Sequence, residues 1–134
     1  MANSKTILSN QIHPGDSVVT AATGEKFKGD GYYGRSDGLH TVQIDINGFI
    51  GKFEMQGTLA VAPVEADWFT LVLDSGKQSV DTTGLVATQS VTSVEYTSVI
   101  TNTKNYNFTG NYVWVRAYVS NWTDGTVNSI RLNH

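Results

Sequence analysis

The carboxylates Asp45, Glu54, Glu65, Asp67 and Glu95 are the side chains of this chain that come nearest to catalytic chemistry. Two carboxylates facing each other across a cleft can split a glycosidic bond, one as acid and one as nucleophile or base. The sequence does not bring any two of these together, and Asp45 and Glu54 fall on the polar side of an alternating segment. His13, His40 and His134 are scattered without metal-ligand spacing. His40 starts an apolar row, which predicts a partly buried, hydrogen-bonded ring. Asp30-Gly31 and Asp37-Gly38 read as turns, since the EF-hand pattern is absent. The chain has no cysteine, which removes disulfides, thiolate catalysis and thiolate metal sites together. The expectation is a protein that is not an enzyme and carries no cofactor or metal.

Aromatic residues point instead to binding. Along Tyr112-Val113-Trp114-Val115-Arg116-Ala117-Tyr118-Val119, strand alternation puts the three valines and Ala117 on one face, which is core. Tyr112, Trp114, Arg116 and Tyr118 share the other face. Three rings around an arginine can be covered by the molecule's own loops. They can equally form a subunit contact, where Tyr, Trp and Arg are enriched, or stack on the C–H faces of a sugar. These four residues are the candidate interface or ligand surface. Tyr32 and Tyr33, in a glycine-rich segment, are a second candidate. Asp67-Trp68-Phe69 places a ring on each side of its strand. Phe69, Leu71 and Leu73 make the better core face, and Trp68 lies toward the rim.

These residues need elements to hold them. Asn47-Gly48 between alternating apolar residues predicts a β-hairpin over 40–47 and 49–59, closed by a type I′ turn. Its register puts Ile46 opposite Phe49, Val42 opposite Phe53 and His40 opposite Met55 on one apolar face. Asp45 then lies diagonal to Lys52 on the polar face. Gly51 interrupts the apolar row, marking a bulge or a close approach. A first strand is expected over Ser17–Ala22. Further strands are expected over Trp68–Leu73, Ser90–Thr101, Asn111–Ser120 and Thr126–Leu132. Turns at Asp74-Ser75-Gly76-Lys77, Asn102–Asn105 and Asp124-Gly125 divide them. Seven or eight strands with turns about every ten residues predict an all-β fold, a single antiparallel β-sandwich, jelly-roll-like.

With 134 residues the chain is one domain, read as an N-terminal arm over 1–15 and a sandwich over 16–134. Ile7, Leu8 and Ile12 are the arm's packing residues. Charged residues make up only 16% of the chain, and the net charge is −3 with a pI near 5.4. That balance argues against nucleic acid, which needs a basic footprint. No apolar run approaches the roughly 20 residues that a membrane helix needs, so no membrane partner is expected.

Gln56-Gly57-Thr58-Leu59, Pro63 and Asp67-Trp68-Phe69 resemble virion structural proteins of tailed bacteriophages, especially T4-like phages of marine cyanobacteria. The block Gly110-Asn111-Tyr112-Val113-Trp114-Val115-Arg116-Ala117 and the closing Gly125–Leu132 resemble the same group, so the resemblance spans about 38–132. It implies a small β-sandwich unit of a head decoration, neck, tail or fibre, located in the virion and assembled in the host cytoplasm. Its implied partners are itself, as a homo-oligomer such as a trimer, and other virion proteins. It transfers no active-site residues. A carbohydrate-binding module for host surface glycan is the alternative that the same aromatic face allows.

Overall fold

In the computed structural model, residues 4–15, 20–34, 38–75, 79–80, 86–87 and 90–133 are described. The expected start of the first strand at Ser17, Asp37, Gly76-Lys77, the connection around Gly84 and His134 lie outside them. The N-terminal quarter holds four short strands, β1 (Lys5–Leu8), β2 (Gln11–Ile12), β3 (Ala22–Thr23) and β4 (Phe27–Lys28). A long strand β5 (Leu39–Thr58) leads to a 3-10 turn at Glu65–Asp67, then β6 (Phe69–Thr70) and β7 (Leu73–Ser75). After β8 (Ser79–Val80), β9 (Val86–Ala87) and β10 (Ser90–Val91) come two more long strands, β11 (Val94–Thr109) and β12 (Trp114–Asn133). The fold is all-β and antiparallel, with main-sheet order β1-β12-β5-β11-β7-β10; β8 and β9 form a separate pair.

Three long strands dominate, where more and shorter ones were expected. A 20-residue strand such as β5 would reach about 66 Å if straight. A compact domain of 134 residues has a radius of gyration of only about 14 Å. The strands must therefore bend, and the sheet curls into a half-barrel. The bend follows a line of bulges. Between Ile46↔Asn102 and Phe49↔Ile100, β5 sets Asn47 and Gly48 against Thr101 alone. On its other side, Ser120↔Lys52 and Asp124↔Ile50 leave three β12 residues facing Gly51.

The predicted hairpin is therefore not formed. Asn47-Gly48 sits inside one continuous strand, and Gly48 has a φ of +62°, the left-handed value of a glycine bulge. Thr101 stitches the spot: its hydroxyl donates to Asn47 Oδ1 (3.0 Å), while its oxygen accepts from the Gly48 amide (3.0 Å). The expected turns at Asn102–Asn105 and Asp124-Gly125 also lie inside long strands. A hairpin and a bulge both swap the parity of the buried face. That is why His40, Val42, Ile44, Ile46, Phe49, Phe53 and Met55 are all buried as the pattern requires. The diagonal Asp45–Lys52 contact falls with the hairpin. Asp45 instead accepts from the Thr103 hydroxyl (3.2 Å) and Asn128 Nδ2 (3.4 Å). Gly51 does mark a close approach, since a Cβ there would meet the Phe49 ring and the Trp122 backbone.

Two tyrosines measure the curl. Tyr96 and Tyr106 lie ten residues apart on β11, about 33 Å along a straight strand. Yet they are close enough for each phenol to affect the other's ionisation. Burial, first of all, pushes both phenols up. The strands β1, β2, β3 and β4 pair in turn with β12 along the edge that β5 leaves free. Ile7 and Leu8 of the expected arm are buried in the core, while Ile12 is exposed. A single hydrophobic cluster joins Ile7 and Leu8 to Leu71, Leu73, Phe108, Val115, Ala117, Val119 and Trp122.

Candidate interaction surface

The outward face of β12 begins with Trp114, Arg116 and Tyr118, whose strand neighbours on β5 are Thr58, Gln56 and Glu54. Tyr112 does not join them. It precedes the strand and packs against the core, with its ring 5.6 Å from Phe69 and 6.4 Å from Phe108. Leu71 and Leu73 are buried as expected, but Phe69 stays partly exposed beside Tyr112.

The 59–68 loop folds over this face. Arg116, itself 8% exposed, donates through Nε to Gln56 Oε1 (2.7 Å). Its two terminal nitrogens donate to Glu65 at 2.8 and 3.3 Å, and its guanidinium carbon lies 4.3 Å from the Trp68 ring centroid. A planar fork with a bidentate carboxylate on its rim and a ring on its face uses what distinguishes arginine from lysine. The Arg116 hydrogen bonds, then its charge, hold the Glu65 carboxyl below its ordinary range. Beside this clasp, the Trp114 indole N–H donates to the Val61 carbonyl (3.0 Å). The Val64 amide donates to Asp67 Oδ2 (2.8 Å), closing the 3-10 turn on itself.

The clasp fixes a loop whose apolar side chains point outward. Val61 is 78% exposed, Leu59 65% and Val64 64%. A polar loop would need no anchor to stay in water. This one is anchored with its valines outside.

The two aromatic groups singled out in the sequence do meet. Tyr32 lies 5.0 Å from Trp114 and 5.6 Å from Tyr33, centroid to centroid, at interplanar angles of 57° and 78°. Lysines that no sequence pattern singles out lie over these rings. Lys26 Nζ is 4.6 Å from the Trp114 centroid, Lys28 Nζ 4.6 Å from Tyr32 and Lys5 Nζ 6.0 Å from Tyr33. The turn that carries Tyr32 and Tyr33 is pinned by amide donation from Gly29 to Val113 O (3.0 Å) and from Gly31 to Tyr112 O (2.9 Å).

His40 is buried, as its place in the apolar row predicted. Its Nδ1–H donates to Gly38 O (2.8 Å), its Nε2 accepts from the Asp30 amide (3.3 Å), and its ring stacks on Phe108 at 4.6 Å. The expected acids are dispersed over separate partners. Glu54 accepts from the Thr70 hydroxyl (3.0 Å), Glu65 binds Arg116, Asp67 caps its own turn, and Glu95 is exposed opposite Lys52. Among the described residues no three His, Cys, Asp or Glu converge as a metal site, and no helix is long and apolar enough to cross a membrane. A cleft of about 310 Å³ between β1 and residues 23–27 has Glu25 as its one carboxylate.

Fold and surface together define a small, bent, antiparallel β module with a clasped apolar loop beside a lysine-capped aromatic row. No protein-family model matches the chain, and neither does any curated protein. Among solved structures, the SPBc2 prophage-derived protein YomS is similar, with a TM-score of 0.58 and 14% identity over 96% of this chain and 88% of that one. At that identity the likeness shows the fold alone. CorA, a surface-associated copper-binding protein of Methylomicrobium album BG8, matches with a TM-score of 0.33 and 8% identity over 88% and 94%. That match is too distant to carry an argument.

Proposed function

We propose that the protein is a non-enzymatic structural module of a bacteriophage particle, assembling with copies of itself and with other particle proteins. The clasped loop carries this reading: Leu59, Val61 and Val64 are held in water by the Arg116–Glu65–Trp68 clasp, and burial against a partner would recover their hydrophobic free energy. The fold shared with a prophage-derived protein supports a phage origin. The resemblance of residues 38–132 to virion proteins of T4-like cyanophages supports a place in the head, neck, tail or fibre. A closed homo-oligomer, such as a trimer, suits a particle component.

A chain without cysteine permits a direct test. Val61→Cys and Val99→Cys each place one thiol at an exposed valine, the first on the loop and the second far from it in sequence. A short bismaleimide is expected to link Val61→Cys chains into dimers or larger species and to leave Val99→Cys monomeric. Equal linking of both variants, or none of either, removes self-assembly through the loop. The Tyr32–Trp114 ring pair favours the second reading, a module that binds glycan.

A further inference from the structure

Three of the chain's nine cationic residues, Lys5, Lys26 and Lys28, gather over three rings in a protein of net charge −3. Lys28 and Trp114 are direct cross-strand partners, so both stand on the outer face. Lys5 Nζ also donates to the Tyr33 hydroxyl at 3.5 Å. Among the described residues none of the three ammonium groups has a carboxylate within ion-pair distance, although Glu25 is next to Lys26 in sequence. Cation–π contact restricts where each ammonium sits without neutralising it. The result is a row of positioned positive charges, open to solvent, with Tyr32 44% and Tyr33 42% exposed beneath it.

We infer that this row, Tyr33–Tyr32–Trp114 with Lys5, Lys28 and Lys26, binds an acidic polysaccharide. The inference deepens the glycan reading and is independent of assembly through the loop. A neutral sugar stacks flat on an open ring face, and here the ammonium groups occupy the ring faces. A sugar bearing carboxylates pairs with those ammonium groups and lays its C–H surface on the exposed ring edges. The three rings follow one another at centroid spacings of 5.6 and 5.0 Å, each with its own ammonium group, so the row offers several positive charges to a chain that carries several carboxylates. A nucleic acid is the poorer occupant, because its bases bind by stacking on open ring faces, and here the ammonium groups occupy them.

Calorimetric titration at low salt with de-esterified oligogalacturonate tests this, run beside its fully methyl-esterified form, polyglutamate and oligothymidylate. The inference predicts binding of the de-esterified chain, weakening as salt rises, and no binding of the ester. K26Q/K28Q is expected to weaken that binding about tenfold while keeping the wild-type thermal melt, and K52Q/K104Q to change neither. Equal binding of the ester overturns the inference. So does equal or tighter binding of polyglutamate or oligothymidylate, an unmoved K26Q/K28Q affinity, or binding of none of the four polymers. Failure here leaves the cross-linking of Val61→Cys untouched, so the two readings fail separately.

Discussion

Arg116 shows how a residue picked out by alternation acquires its role from far away in the chain. Its charge is buried on a strand, and its partner Glu65 lies on a turn 51 residues earlier. Replacing Arg116 with Ala is expected to cost about 2 kcal/mol of stability, the scale of charge-assisted hydrogen bonds, and Arg116→Lys is not expected to restore it, since lysine has no planar fork. Denaturant titration of the three proteins checks both. The clasp also sets an acid limit. Glu65 has its folded pKa lowered from 4.5, so its contribution is complete above that value and is lost as pH falls through the depressed one. Glu65→Gln should flatten that part of the acid unfolding curve. Tyr96 works at the other end of the scale. Its hydroxyl is buried with no hydrogen-bond partner, and burial first, then the Tyr106 phenol nearby, disfavours its ionisation. The folded pKa of Tyr96 is raised, so the stability tied to the neutral phenol is full below the ordinary value of 10.0 and falls as pH climbs above it. Tyr96→Phe should leave stability at neutral pH unchanged or up to about 1 kcal/mol higher, with a shallower alkaline loss. The type of residue at the site was legible from alternation. Its partners were not, because neither Glu65 nor the lysines over the rings have any local sequence relation to β12.

At the scale of elements, the bulges do the work that turns were expected to do. Asn47-Gly48 and Asp124-Gly125 have turn chemistry because a sharply bent strand needs the same left-handed backbone as a turn. Gly48 and Gly125 have φ of +62° and +86°. They also face each other across β5 and β12, where a Cβ on Gly125 would run into the Gly48 carbonyl. A Cβ on Gly48 would meet only a Val99 methyl at 3.8 Å. Gly48→Ala should therefore cost about 1–2 kcal/mol, the left-handed backbone penalty alone. Gly125→Ala should cost clearly more, because steric overlap is added. Thermal melts that rank the pair the other way would contradict the bend geometry. Local pattern reads parity, and parity changes identically at a two-residue loop and at a one-residue bulge. The buried face was thus legible while the connectivity was not. The deciding fact, that β11 and β12 lie on either side of a single β5, is non-local.

For the whole molecule, one curled sheet closes over one core, with the N-terminal segment sealing the outer edge of β12. All-β class and antiparallel pairing followed from composition and alternation. The curl follows from length, since strands this long cannot stay straight inside so small a domain. The clasped loop and the lysine row both stand exposed on the outside of this curl, and the proposed assembly contact is the loop. The solution mass by light scattering tests that most directly, measured on the wild-type chain and on V61E/V64E, which puts charge on the loop without touching the clasp. A discrete wild-type oligomer is expected, and a V61E/V64E monomer with an unchanged melt. A wild-type monomer at micromolar concentration, or a variant that assembles as well as the wild type, would contradict it.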